Sequence, residues 1–343
     1  MTALPEVFNY ADSRQVSRLL SDRVDPHEVL AAEIGPTYME YRRLWDEART
    51  FVNIPAFPLH VDYEMKFRCN LRCPMCLMSL SAEGRAGYGQ AAQELSPGRV
   101  IELIRQGAEA GQKAMGFGGL WEPLLEPALP EVVAEARKAG LVDVMFNTNG
   151  LLLTEKTGRA LIEAGLTRLM ISVDAASWET YEKMRTGSDF ETVVANIEKF
   201  MSLRRRLGRV LPLVRISFCR TAINEHELGP FIERWREVVD FFSIQTYGRY
   251  ESAAPPGFPQ NAFNAAPSGR CAQPNKRLLV RHNGDVLPCC DASGTSLIMG
   301  NIKRQSLAEI WRSPELAGLR SSLAGVEKQP ACRACQSKFE PGD

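Results

Sequence analysis

Lys66-Phe-Arg-Cys-Asn-Leu-Arg-Cys-Pro-Met-Cys76 places three cysteines, Cys69, Cys73 and Cys76, at C-x3-C-x2-C spacing. Iron–sulfur clusters are normally held by cysteine thiolates, usually four of them. Three thiolates this close can hold three irons of a cubic 4Fe–4S cluster and leave the fourth iron open to bind something else. Two blander readings compete. A disulfide pair sits badly with an odd total of nine cysteines and with no secretory signal ahead of them. A zinc knuckle usually takes four tetrahedral ligands, and no fourth Cys or His follows nearby.

The cysteine loop lies directly behind a strand-like run, Leu59–Met65, which opens an alternating pattern reaching about residue 250. Further strand-like runs are Lys113–Gly118, Val142–Thr148, Arg168–Asp174, Leu213–Cys219 and Phe241–Tyr247. Helix-like runs lie between them at Pro97–Ala110, Leu129–Ala139, Thr154–Ala164, Phe190–Arg206 and Glu227–Val238. Alternation of this kind predicts an α/β fold, a parallel sheet with crossover helices. Six strands make a partial (β/α)6 barrel, short of the eight of a full one.

Side chains alternate faces along a strand. Val214, Ile216 and Phe218 are therefore expected to face helices, and Arg215, Ser217 and Cys219 the lumen. On the same reasoning Leu169, Ile171 and Val173 point outward while Ser172 and Asp174 point inward. Phe242 and Ile244 point outward, and Ser243, Gln245 and Tyr247 inward. A polar interior on three strands is expensive unless it binds something, or unless its hydrogen bonds are satisfied structurally in a hydrated lumen.

Residues 1–58 read as a helical extension with candidate helices Ser13–Ser21, Pro26–Ile34 and Thr37–Phe51. Tyr38, Tyr41, Leu44 and Trp45 recur at helical spacing in the last of these and suit a packing surface. Residues 59–250 form the barrel, 251–268 a Pro- and Ala-rich linker, and 269–343 a cysteine-rich tail domain. The 343 residues, 45% hydrophobic and 24% charged with zero net formal charge, suit an ordinary globular protein. A nucleic-acid binder would need a basic surplus, so no nucleic-acid partner is expected. No run of about eighteen apolar residues occurs, so no membrane span is expected either. Nine cysteines without a signal peptide point to a reducing, cytoplasmic setting.

Each barrel strand delivers polar residues at its C-terminal end, where active sites of parallel barrels gather. After the second strand comes Phe117-Gly-Gly-Leu-Trp-Glu-Pro-Leu-Leu125. Gly118 and Gly119 are expected to let a ligand approach the backbone, and Glu122 to accept from an ammonium group. After the third comes Asn147-Thr-Asn-Gly150, with Asn149 on the turn.

These pieces, with Ile171-Ser-Val-Asp174 on the fourth strand, resemble the radical S-adenosylmethionine (SAM) enzymes over roughly residues 59–250. The resemblance implies that Cys69, Cys73 and Cys76 hold a 4Fe–4S cluster whose open iron is chelated by SAM. It implies reductive cleavage of SAM to a 5′-deoxyadenosyl radical that takes a hydrogen atom from substrate, and an external reductant such as flavodoxin or ferredoxin. It carries SAM-binding roles to Gly118, Gly119, Glu122, Asn149, Ser172 and Asp174. One departure from the family is visible: Leu120 and Trp121 separate the glycines from Glu122. Arg185 resembles a recurring Arg that pairs with the SAM carboxylate, the alternative being a surface helix Arg.

In the tail, Cys271 is followed by twelve residues, Gly284, four residues and Cys289, and then by Cys332-Arg-Ala-Cys335. The stretch His282-Asn-Gly-Asp-Val-Leu-Pro-Cys-Cys290 looks like the hairpin of a SPASM domain. Only eight residues follow Cys335, so the tail resembles the shortened "twitch" form with one auxiliary 4Fe–4S cluster on Cys271, Cys289, Cys332 and Cys335. Two clusters in all would result. Four thiolates also suit a zinc ribbon. Cys290 is left for the hairpin core, and the four histidines show no ligand spacing and read as ordinary.

The tail pattern resembles that of 2-deoxy-scyllo-inosamine dehydrogenase-type enzymes, which implies oxidation of a small polar substrate such as a sugar or cyclitol. Epimerisation is the alternative, with the lumen thiol of Cys219 as hydrogen donor, although a buried cysteine is also a common core residue. Modification of a ribosomally made peptide is a third possibility.

Overall fold

The computed structural model describes residues 25–79, 93–246, 271–289, 297–325 and 329–334. The expected helix Ser13–Ser21, the linker, Tyr247, Cys290 and Cys335 lie outside them. Two helices, α1 (Pro26–Ile34) and α2 (Pro36–Arg49), precede the first strand β1 (His60–Tyr63). The barrel continues as α3 (Pro97–Ala110), β2 (Ala114–Phe117), α4 (Leu129–Lys138), β3 (Asp143–Thr148), α5 (Glu155–Glu163) and β4 (Arg168–Ser172). It ends with α6 (Trp178–Met184), α7 (Phe190–Arg206), β5 (Leu213–Arg220), α8 (Leu228–Trp235) and β6 (Phe241–Thr246). Helix α6 has no counterpart among the sequence-predicted runs.

The helix boundaries follow from capping chemistry. Ser96 accepts from the Arg99 amide at the start of α3, Pro97 fills its first position, and Gly111 ends it at φ +111°. Thr154 and Asp189 cap α5 and α7 in the same way, accepting from Thr157 and Thr192 amides.

β1 to β6 pair in sequence order and all in parallel. The cysteine-rich tail adds β7 (Arg277–Val280), β8 (Asp285–Leu287) and β9 (Gly300–Asn301), and the full order is β6-β5-β4-β3-β2-β1-β7-β8-β9. β7 runs parallel to β1, with His60 opposite Arg277 and Tyr63 opposite Val280, so the tail extends the barrel sheet directly. β7 and β8 form the expected antiparallel hairpin. Helices α9 (Leu307–Trp311), α10 (Pro314–Ala324) and α11 (Pro330–Ala334) complete the tail.

The main core lies between the strands' outer faces and the helices. It takes Val61, Met115, Val144, Leu169, Ile171, Val173, Val214, Ile216, Phe218, Phe242 and Ile244, which includes every outward-facing residue predicted for β4, β5 and β6. A second cluster closes the bottom of the barrel. Leu30, Tyr38 and Tyr41 from α1 and α2 pack on Leu59, Ala114, Val142, Leu213 and Phe241 at the strands' N-terminal ends, with Leu44 and Trp45 partly buried beside them. The stripe on α2 is thus packing surface. Beneath the lumen, Arg168 pairs with Asp143 and donates to the Tyr38 hydroxyl at 2.9 Å. Among the described residues no helix is long and apolar enough to cross a membrane.

Candidate active site

The cysteine loop leaves β1 and folds into a turn in which the Cys76 amide donates to the Cys73 carbonyl at 2.9 Å. Each of the three sulfurs meets a donor. The Leu71 amide lies 3.4 Å from Cys69 Sγ, the Met78 amide 3.5 Å from Cys76 Sγ, and Arg185 Nη1 3.7 Å from Cys73 Sγ. Asn149 Nδ2 stands 3.9 Å from Cys69 Sγ and donates to Asn70 Oδ1 at 2.8 Å. N–H groups and a cation aimed at sulfur favour thiolates and tune a cluster held by them. The three cysteines therefore fit a 4Fe–4S cluster. Among the described residues no three Cys, His, Asp or Glu side chains gather as they would around a single ion. A cubane takes each thiolate on a different iron and does not need them to converge on one point.

The turn after β2 differs from expectation in two respects. Gly119 sits at φ +92°, and a Cβ there would lie 2.1 Å from Glu64 Oε2. On the side a Cβ would occupy, the space is filled by the protein's own carboxylate. Glu64 is buried. Its Oε2 accepts from the Leu120 amide at 2.6 Å, and its Oε1 accepts from His282 Nδ1 at 2.7 Å and faces Arg281 Nε at 3.3 Å. Trp121, the bulky insertion, folds inward, donating to the Gly118 carbonyl at 2.8 Å and meeting Phe117 edge-on.

Glu122 also has a different task from the ammonium acceptor expected of it. Its Oε1 accepts from the Leu124 amide at 3.0 Å and from the Thr148 hydroxyl at 2.7 Å, and its Oε2 from the Asn149 amide at 2.9 Å. Burial pushes this carboxyl above its usual range, and those donors pull it back. Glu122 thus ties the β2 loop to the β3 loop and sets Asn149 beside Cys69.

Above β4 the structure joins three expected residues. Asp174 is buried at φ +64°, ion-paired with Arg185, and accepts from the Cys219 amide at 2.7 Å. Arg185 is not a surface residue, its side chain being 15% exposed. Burial works against its charge, but Asp174 and then Cys73 outweigh that and keep it protonated. Asp174 is therefore the partner of Arg185, so the SAM-binding role expected of it competes with an ion pair already made. Cys219 packs with Met75, Met184 and Ile223. Burial and then Asp174 push its thiol up to about 12, so it stays protonated at neutral pH.

Ser172 faces the lumen with Ser217, whose hydroxyl lies 3.4 Å away, and Ser243 shares their row. Asn147, on the lumen face of β3, is exposed. The sequence reading missed Glu64 and its partner His282, which it took for an ordinary histidine, and nothing local in the sequence links them. In the tail, Cys271 and Cys332 are both partly buried against the main core.

Comparison with known proteins adds to this geometry. The radical SAM superfamily pattern matches residues 63–213, and the iron–sulfur cluster-binding SPASM pattern matches residues 271–336. GTP 3′,8-cyclase of Chlorobaculum tepidum is 28% identical over 213 residues, covering 60% of each chain. That of Limosilactobacillus fermentum is 33% identical over 198 residues, 57% of this chain and 52% of the relative. The chain spans about half the length of the curated relatives it matches. Among solved structures, Streptococcus suis SuiB bound to S-adenosylmethionine superposes with a TM-score of 0.62 at 15% identity, over 83% of this chain and 72% of that one. BtrN in complex with AdoMet and 2-DOIA gives 0.50 at 18% identity, over 78% and 87%. At such identities these likenesses establish the fold, which the partial barrel and its C-terminal extension share. The chain carries a radical SAM domain and a SPASM domain, and these imply SAM and 4Fe–4S clusters as cofactors.

Proposed function

We propose that this enzyme dehydrogenates a small polar metabolite, with a sugar or cyclitol as the leading class. When bound, SAM at the reduced Cys69–Cys73–Cys76 cluster supplies a 5′-deoxyadenosyl radical able to take a hydrogen atom from carbon. The chain's own residues position that chemistry. Arg185, held by Asp174 beside Cys73, would receive the SAM carboxylate. Asn149 supports Cys69, while Ser172, Ser217 and Asn147 offer hydroxyl and amide groups to a hydroxylated ligand in the lumen. The floor of aromatic and aliphatic side chains keeps the lumen closed from below.

One observation carries the dehydrogenation reading: β7 is bonded directly to β1. Cys271 precedes β7 and Cys289 follows β8, so both flank a hairpin built onto the strand that leads into the cysteine loop. Cys271, Cys289, Cys332 and Cys335 would hold the auxiliary cluster, which supplies an acceptor for the second electron of a C–H oxidation. Four cysteine ligands leave it no open iron for substrate.

Anaerobic reconstitution should give about eight irons per chain, whereas about four irons with one zinc would mark a zinc ribbon in the tail. Reduced holoenzyme incubated with SAM and candidate metabolites should form 5′-deoxyadenosine and a product two hydrogens lighter than its substrate. Changing Cys69, Cys73 and Cys76 together to Ala should abolish 5′-deoxyadenosine formation and leave the second cluster in place. Continued formation would overturn the radical assignment. Cys332→Ala with Cys335→Ala should keep some SAM cleavage and block product.

Epimerisation is supported by the protonated Cys219 thiol in the lumen wall, which is the state a hydrogen-atom donor needs. An epimerised product has unchanged mass and gains carbon-bound deuterium in heavy water. If the mass is unchanged and Cys219→Ala loses the product, oxidation is the wrong reading.

A further inference from the structure

The lumen face carries an unusual density of charge, nearly all of it balanced within the protein. Strand alternation and the composition of the outer core put His60, Asp62 and Glu64 of β1 and its exit, Asp143 of β3, Arg168 of β4, Arg215 of β5, and Arg277 and Arg281 of β7 and its exit on the inner side. Arg168 pairs with Asp143, Arg277 with Asp62 at 3.3 Å, and Arg281 with Glu64 at 3.3 Å. At the mouth, Arg185 pairs with Asp174. Among the described residues of the lumen, Arg215 is the remaining cation. Among the described residues no carboxylate pairs with it, and its buried Nε donates to nothing.

Arg215 has an adverse setting. It sits in the row of Met170 and Phe241, one row below Ser172–Ser217–Ser243. Burial and then the positive charge of Arg168 pull its guanidinium down to about 10. Arg215 is half-buried with its Nε enclosed, and a cation withdrawn from water without a partner is costly, so a protein interior normally supplies a carboxylate. Among the described lumen residues Arg168, Arg185, Arg277 and Arg281 each received one. The planar guanidinium is also the side chain best shaped to grip a carboxylate or phosphate through two parallel bonds.

We infer that Arg215 anchors an anionic group, a carboxylate or a phosphate, on the substrate, which makes the preferred substrate a sugar- or cyclitol-like molecule bearing a negative charge. The inference rests on reading the lumen as the substrate chamber. The SAM carboxylate is an unsuitable occupant. Arg185 already stands at the cysteine loop, and the Arg215 backbone lies four residues, about 13 Å of extended strand, below Cys219, which bonds to the partner of Arg185. Bound at Arg215, an anionic group would be held at the chamber floor, and the hydroxylated part of the molecule would rise past the serine row toward the cluster loop.

The test uses anaerobically reconstituted holoenzyme saturated with SAM. It is titrated with sodium phosphate or sodium acetate at constant ionic strength and followed by thermal unfolding. Wild type should be stabilised, and the anion that binds more tightly identifies the group as phosphate or carboxylate. Arg215→Met should weaken that anion's binding by roughly tenfold or more, and Arg215→Lys should retain part of it. Without added anion, Arg215→Met should be no less stable than wild type, because it removes an uncompensated charge. Equal anion responses in wild type and Arg215→Met would overturn the inference, as would no response in wild type. A response present without SAM and lost on SAM saturation would also overturn it, by assigning Arg215 to the SAM carboxylate. Failure of reduced wild type to form 5′-deoxyadenosine would strike the radical reading instead, and would leave the anion measurement to stand or fall separately.

Discussion

The β1–β7 wall of the lumen carries His60, Asp62, Glu64, Arg277 and Arg281 and gives each an oppositely charged or hydrogen-bonding neighbour, whereas the β4–β5 wall pairs Arg168 with Asp143 but, among the described residues, gives Arg215 no carboxylate. Both walls belong to one sheet and lie on its inner face. The first joins the barrel to the tail, so its polar groups substitute for the water they lost and fix the register of β7 on β1. The second is covered at its ends, by Tyr38 below Arg168 and by Met75 and Met184 beside Cys219, and between them, among the described residues, Arg215 meets no carboxylate. Polarity in a lumen therefore does not by itself mark a binding site, and the state of its partners separates scaffold from site.

Mutations on the closed wall should cost stability, and those on the open wall should cost substrate handling. Glu64→Ala is expected to have the largest effect. It strips the Leu120 amide, His282 and Arg281 of one buried acceptor and should destabilise the protein by about 3–5 kcal/mol in denaturant unfolding. A loss well below about 1 kcal/mol would break the comparison at its strongest point.

Asp62→Asn should come next. Burial disfavours the Asp62 charge, but Arg277 and His60 hold its carboxyl down to about 2, below the ordinary 3.8. The folded value is the lower one, so the stabilisation is present above about pH 4 and is lost as pH falls through about 2. The variant should be less stable than wild type by about 2 kcal/mol at neutral pH, and the gap should narrow across that acid window. A gap that persists unchanged at pH 2 would show the ion pair contributes nothing.

Gly119→Ala should cost about 1 kcal/mol or more, since the new Cβ meets the Glu64 carboxylate at a backbone angle that disfavours side chains. Pairing it with Glu64→Ala sharpens the test: the glycine penalty should shrink once the carboxylate is gone, which a double-mutant cycle measures. On the open wall, Ser217→Ala should change stability by no more than about 0.5 kcal/mol, because its one hydroxyl bond is a 3.4 Å contact to Ser172. Its effect should appear in the KM for substrate. A large drop in Tm with KM unmoved would make the serine row scaffold too.

Much of the frame was legible in the chain. Helices α1, α3 and α7 begin and end where periodicity and capping residues predict, and six parallel strands stand in the predicted order. The inward and outward faces of β4 and β5 also follow from alternation. The short helix Trp178–Met184 was not legible, because its seven residues give too little periodicity to separate it from a loop. The site was legible as a set of residues, while their partners within the protein were not. Glu122 and Gly119 were marked by position after β2, yet Glu122 faces Thr148 and the Asn149 amide, and Gly119 makes room for Glu64.

The sequence by itself determined what depends on neighbours along the chain. These are the three-cysteine spacing, the strand and helix periods, the caps and the turn positions, all set by interactions among residues a few positions apart. Tertiary structure decided what depends on neighbours across it. Glu64 and His282 are 218 residues apart, and Asp174 and Cys219 are 45 apart. Whether a polar side chain is paired or open is settled only when β7 has been laid on β1 and β5 on β4. A buried charge acquires its meaning from the partner opposite, and no local pattern records which partner that will be.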